Sequence, residues 1–155
     1  RSGCGRMEAI SWSDQSRPPN MTKYGANHPG DGAGPWVMAD LEQGVWAGNR
    51  SDVNPGNPTW NHSTFVTAML KGKSGHFALK AGDAQSGRLH TLYDGPRPWG
   101  YEVMKKEGAI VLGIGGDNSD RGVGTFYEGA MTASYTSDTT DDAIHANIVA
   151  AGYGK

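Results

Sequence analysis

Ser63-Thr64-Phe65-Val66-Thr67-Ala68-Met69-Leu70 and His76-Phe77-Ala78-Leu79-Lys80 flank the connection Lys71-Gly72-Lys73-Ser74-Gly75. In both runs apolar residues recur at alternate positions, the period of a strand whose successive side chains leave opposite faces. A five-residue connection with two glycines between such runs is a hairpin signal, so the pair reads as one turn of an antiparallel meander. The same pattern predicts further strands near 36 to 41, 44 to 47, 88 to 93, 109 to 114 and 124 to 135, with turns at Ala81-Gly82-Asp83 and Ser86-Gly87. Short strands separated by turn formers predict an all-β fold, an antiparallel β-sandwich of the jelly-roll, concanavalin A-like kind. The 24 glycines and 8 prolines fit that reading better than a helical bundle.

Two segments depart from the strand pattern. Residues 11 to 35 hold Pro18-Pro19, Asn27-His28-Pro29-Gly30 and Asp31-Gly32 in close succession, so a long surface loop is expected there. Near the C-terminus, Ser137-Asp138 can cap a helix running from Thr139 to about Ala151, with Asp141 and Asp142 in its first turn favoured by the helix dipole. Ile144, Ile148 and Ala151 fall on one stripe, which predicts packing against the sandwich.

A chain of 155 residues supports one domain, expected over residues 1–155. A net charge of -2 with scattered Lys and Arg leaves no stripe to track phosphates, which argues against nucleic acid as a partner. No apolar run approaches the roughly 20 residues of a membrane helix, so no membrane partner is expected. The first residues, Arg1-Ser2-Gly3-Cys4-Gly5, do not read as a leader, and any signal peptide is expected to have been removed. Sequons at Asn20-Met21-Thr22, Asn49-Arg50-Ser51 and Asn61-His62-Ser63 lie in turn-rich segments, so Asn20, Asn49 and Asn61 are expected glycan acceptors on a secreted, extracellular protein. Cys4 has no internal disulfide partner; it is either an inert buried thiol or pairs outside the chain.

The chemistry rests on carboxylates. Trp36-Val37-Met38-Ala39-Asp40-Leu41-Glu42 puts Asp40 and Glu42 on one face of a strand, and Gly113-Ile114-Gly115-Gly116-Asp117 puts another acid on a glycine-rich loop after the apolar run Ala109-Ile110-Val111-Leu112. Retaining glycoside hydrolysis needs a nucleophilic carboxylate and a protonated acid about 5 to 5.5 Å apart, and Glu42 and Asp117 are the expected pair. Asp40 would bind a sugar hydroxyl. Glu128 is a rival acid, whereas Glu102 and Glu107 read as solvated. Asp117-Asn118-Ser119-Asp120 lacks the distal bidentate glutamate of a calcium loop, and the five histidines have no metal-ligand spacing, so neither metal nor cofactor is expected. Trp12, Trp36, Trp46, Trp60 and Trp99 include possible sugar-stacking rings, with Trp36 and Trp46, which flank Glu42, favoured.

These motifs resemble the α-L-arabinofuranosidases of glycoside hydrolase family 54. The likeness runs through Met7-Glu8-Ala9-Ile10, Gly34 to Glu42, Lys106 to Ser119, Gly124 to Thr132 and Ala146 to Ala151. It implies a retaining enzyme that releases arabinofuranose from arabinose-containing polysaccharide or oligosaccharide, with Glu42 as nucleophile and Asp117 as acid/base. It further implies that Asp40, Gly116, Met7 and Gln43 line the pocket. Gln43 stands where a member of the family has asparagine. The family's first half, with its adjacent cysteine pair, has no counterpart, so the chain resembles the C-terminal half of the catalytic sandwich: either another chain is a partner supplying the rest, or the chain is a fragment of a longer product, or its strands close into a compact lectin-like domain. The family's pocket tryptophan cannot be placed either, and Trp12 or Tyr24 could substitute. The competing reading is a non-catalytic, lectin-like carbohydrate-binding module, since such sandwiches often bind sugars without cleaving them.

Overall fold

The computed structural model describes residues 8–13, 27–28, 30–41, 44–49, 53–103 and 124–155. Its strands are β1 (Ala9–Ser13), β2 (Asn27–His28), β3 (Trp36–Asp40), β4 (Val45–Trp46), β5 (Val66–Lys73), β6 (His76–Asp83) and β7 (His90–Pro96), followed by helix α1 (Asp138–Ala151). They form a four-stranded sheet in the order β1-β3-β4-β2 and a three-stranded sheet in the order β5-β6-β7. All the ladders are antiparallel except β2 on β4. The β-sandwich and its C-terminal helix are therefore as expected.

The β5–β6 hairpin is longer than its alternation suggested. Pairing runs from Val66↔Asp83 to Lys73↔His76, leaving Ser74-Gly75 as a two-residue turn with Gly75 at φ 67°. Positive φ is readily reached by glycine, which fits the turns preferred in tight hairpins.

Alternation divides each sheet into two faces. Val37, Ala39 and Leu41 of the first sheet meet Phe77, Leu79, Ala81 and Leu92 of the second, and Trp46 and Trp60 complete this core. Trp36, Met38, Val45 and Ala47 form a second buried cluster on the other face of β3. A strand buried on both faces explains why Trp36–Asp40 is nearly all apolar, with Asp40 its one charged residue.

The outer face of the second sheet carries α1. Ser137 caps it by accepting from Thr140 N at 3.1 Å, and Gly152, in the left-handed conformation at φ 76°, ends it. The docking face differs from the apolar stripe expected from sequence. Ile144 is 40% exposed and Ala151 is exposed, whereas Asp141 and His145 are buried. Lys71 and Lys80 project from the sheet and reach Asp141 Oδ2 at 2.6 and 2.8 Å. The sheet's outer face offers cations and a glycine notch, so the helix turns its complementary polar side inward. His145 sits over Gly82, where a Cβ would fall 2.6 Å from its Cε1, and its Nδ1 lies 3.1 Å from Thr67 Oγ1.

Two other expectations are corrected. Residues 11–13 and 27–28, placed in a long loop, belong to strands β1 and β2, because backbone pairing to β3 and β4 outweighs weak local patterning. Residues 124–135 form no strand among the described residues; their alternation finds no ladder partner there, and unpaired alternation does not make a sheet. The strand expected at 109–114 lies outside the described residues. No helix among the described residues is long and apolar enough to cross a membrane.

Candidate active site

Asp40 ends β3 and is held between two neighbours. It pairs with Ala9 of β1 on one side and Val45 of β4 on the other, and it is 0% exposed. Leu41 N then donates to Gly44 O at 3.1 Å, joining the exit of β3 to the entry of β4. A buried carboxylate at a strand end, framed by rigid ladders, is suited to hold a ligand hydroxyl or a catalytic partner. Glu42, Gln43, Gly116, Asp117 and Met7 lie outside the described residues, as does Asn20.

Trp36 occupies a different position from a stacking platform. It is 1% exposed, its Nε1 donates to Asp31 O at 2.7 Å, and Gly30 lies so close that a Cβ there would come within 2.5 Å of its ring. A ring enclosed in this way has no open face for a sugar and serves the core. Trp46 is also buried, at 9% exposure, and its ring meets Tyr101 edge-on at a centroid distance of 5.4 Å. Trp12 packs against the inter-sheet core, and Tyr24 lies outside the described residues. Glu128, the rival acid, is exposed and accepts from Tyr153 Oη at 2.5 Å, on the flank where Tyr127 and Tyr153 pack with Phe65.

Three residues given no role from sequence brace the same end of the sandwich. Arg97, with 1% of its side chain exposed, forms an ion pair with Glu8, the residue before β1. It also donates through Nε to Lys73 O at 3.1 Å and through Nη1 to Glu102 O at 3.2 Å. Gly72 makes room for this pair, since a Cβ there would lie 2.3 Å from Glu8 Oε1. Arg97 thereby ties the start of β1, and so the Ala9↔Asp40 pair, to the second sheet. Its position in Pro96-Arg97-Pro98-Trp99-Gly100, a charged residue between two prolines, was the signal available in the sequence.

Electrostatic perturbation is also marked on α1. Burial pushes the Asp141 carboxyl up, yet hydrogen bonds from Lys71, Lys80 and Thr136 overrule it and hold the pKa below the ordinary value. Burial drives His145 down against the opposing fields of Asp142 and Asp83, so the imidazole stays neutral more readily than a free one. That constellation is structural in character: two cations and two carboxylates neutralise one another between helix and sheet. Among the described residues no group of three or more His, Cys, Asp or Glu is placed to hold a metal ion.

Comparison with known proteins places these features in a family. The sequence model described as "Alpha-L-arabinofuranosidase B, catalytic" matches residues 1–154. The chain is similar to the Arabinofuranosidase/B-xylosidase of Trichoderma koningii, at 50% identity over 153 residues, covering 97% of this chain and 29% of the relative. It is 51% identical over 154 residues to the Alpha-L-arabinofuranosidase B of Emericella nidulans, covering 97% and 28%. Among solved structures, a glycoside hydrolase family 54 α-L-arabinofuranosidase soaked with a cyclic sulfate inhibitor superposes with a TM-score of 0.81 at 45% identity. An arabinofuranosidase complexed with arabinofuranosyl-α-1,2-xylobiose gives 0.80 at 44%. Each alignment covers 97% of this chain and 30% of the solved one. The chain thus spans under a third of the length of the relatives it matches. With the matching model extending over nearly every residue, this chain belongs to the alpha-L-arabinofuranosidase B catalytic family.

Proposed function

We propose that the chain carries the carboxylates of a retaining glycoside hydrolase that releases terminal α-L-arabinofuranose from arabinose-containing polysaccharides. The observation that supports this most is the family match over residues 1–154, which takes in both acidic motifs. Asp40, buried at the end of β3 two positions before Glu42, is consistent with it. In this reading the Glu42 carboxylate attacks C1 of the arabinosyl ring, and the C1–O bond to the leaving group breaks as Asp117 gives that oxygen its proton. The arabinosyl ester on Glu42 is then hydrolysed by a water that Asp117 deprotonates, restoring both groups. Asp40, Gln43, Gly116 and Met7 contact the sugar.

The reading extends to surroundings and partners. The protein is a secreted glycoprotein, with Asn61 exposed on a turn, Asn49 half-buried in a bend, and Asn20 as the third acceptor. A second chain supplying the N-terminal half of the sandwich would cover the flank where Phe126, Tyr127 and Met131 are 49%, 60% and 53% exposed.

Turnover of 4-nitrophenyl α-L-arabinofuranoside is the test. Glu42→Ala is expected to lose on the order of 10⁴-fold in turnover, a barrier rise of about 5 kcal/mol, with azide restoring activity and giving inverted product. Undiminished turnover in Glu42→Ala removes Glu42 from the mechanism. Arabinose binding by calorimetry without any hydrolysis establishes instead the lectin-like module.

A further inference from the structure

We infer that Trp99 is a stacking platform for a backbone sugar of the polysaccharide, at the end of the sandwich where β3 finishes. The inference rests on the proposed activity and adds a binding position to it. Trp99 is 92% exposed, the most open of the large hydrophobic side chains among the described residues. Both faces of an indole so placed are available to the apolar C–H face of a sugar ring. Trp36 and Trp46, the rings favoured from sequence, are shut into the core.

Exposure alone would not set Trp99 apart from a stray surface aromatic. Its mounting does. The chain turns at Pro98–Tyr101, where Tyr101 N donates to Pro98 O at 3.1 Å, with Gly100 at φ 84°. Pro98 is buried on one side of Trp99, and Tyr101 on the other is seated against Trp46. Arg97, two residues before Trp99, is fixed by its ion pair with Glu8 and by Lys73 O and Glu102 O, and its own N–H donates to Gly75 O at 3.1 Å. An exposed side chain on a base held at both ends loses little further backbone freedom on binding, which is the advantage of preorganisation.

The two braces also locate the platform. Glu8 immediately precedes Ala9, which pairs with Asp40, and Trp46 immediately follows Val45, which pairs with Asp40 on the other side. The loop therefore spans the sandwich end at which β3 finishes, anchored to both strands that flank the buried carboxylate. A terminal arabinofuranose bound there leaves its parent chain outside the pocket, where a ring-sized apolar surface on a stiff loop is suited to receive it.

The test compares two substrates that differ beyond the scissile bond: wheat arabinoxylan and 4-nitrophenyl α-L-arabinofuranoside. Trp99→Ala is expected to lower the ratio of kcat/KM on arabinoxylan to that on the aryl glycoside on the order of 10-fold, chiefly through KM. Trp99→Phe, which keeps an aromatic face, should recover most of that ratio. An unchanged ratio in Trp99→Ala overturns the inference. A wild-type protein that turns over neither substrate when completed by the chain supplying the rest of the sandwich refutes the proposed activity but leaves the platform open to a separate measurement. Titration with xylotetraose is then expected to change tryptophan fluorescence saturably in the wild type and not in Trp99→Ala. No response in the wild type, or the same response in both proteins, overturns the platform and leaves Trp99 as a surface for protein contacts.

Discussion

Asp141→Asn is the sharpest test of how α1 is held. The substitution keeps the shape of the side chain and removes its charge. In the native arrangement Asp141 Oδ2 accepts from Lys71 Nζ at 2.6 Å and lies 2.8 Å from Lys80 Nζ, while Oδ1 accepts from Thr136 Oγ1 at 2.5 Å. Both lysine side chains are nearly enclosed, at 6% and 4% exposure, so without the Asp141 charge the carboxylate left to them among the described residues is Asp138, whose own side chain is 73% exposed, while Lys71 keeps its bond to Thr136 O at 3.1 Å. Stranding one buried charge costs about 3 to 5 kcal/mol. Because Asp138 stays near both lysines, the lower end applies, and a loss of about 3 kcal/mol should lower Tm by roughly 6 to 12 °C in a chain of this size.

Urea unfolding at neutral pH, followed by circular dichroism, measures that loss. The pH dependence supplies an independent sign. The folded pKa values of Asp138 and Asp141 lie below the ordinary carboxylate value, so their stabilisation is complete above that value and disappears as pH falls through the lowered ones. Lys80 is raised, since its bonds to Asp138 and Asp141 outweigh the burial that pushes it down. Its share is present below the ordinary lysine value and disappears as pH climbs through the raised one. The wild type should lose stability at both extremes, and Asp141→Asn should show a flatter acid limb. A loss below about 1 kcal/mol, the range of an exposed pair, together with an unaltered acid limb, would refute the reasoning.

Two further outcomes follow from the same interface. Gly82→Ala places a Cβ within 2.6 Å of His145 Cε1 and 3.0 Å of Arg88 O, and should cost about 1 to 3 kcal/mol by overpacking, read as a shift of the urea midpoint; a neutral result would mean that the helix is free to ride outward. His145, flanked by Asp142, Asp83 and His90, should titrate below the ordinary histidine value in an NMR experiment on its ring protons. Since its folded pKa is depressed, its contribution to stability is present above the ordinary value and is lost as pH falls toward the lowered one. A titration at or above the value of a free imidazole would contradict its burial.

How far the sequence revealed all this depended on where the stabilising partner lay. The β5–β6 hairpin was legible because alternation and turn glycines are local signals. The helix was legible at its ends, where Ser137 and Gly152 act within a turn or two. Its buried face was not, because Lys71 and Lys80 are remote in sequence and nothing near Asp141 or His145 announces them. Strand β1 was missed for the same reason: Ala9–Ser13 gains its order from β3, some thirty positions on. Asp40 was singled out from the strand pattern, and it lies buried at the end of β3. The tryptophans were ranked by closeness in sequence to Glu42, which favoured Trp36 and Trp46; ring exposure depends on packing across the sheets, and there Trp99 is the open one.

The fold also separates two kinds of vulnerability. Helix α1 grips the back of one sheet through charge, whereas the acid at the tip of β3 belongs to the other sheet and is steadied by Glu8 and Arg97. Heat tolerance and the setting of that buried acid thus answer to different sets of side chains, so substitutions that retune the first set can leave the second untouched.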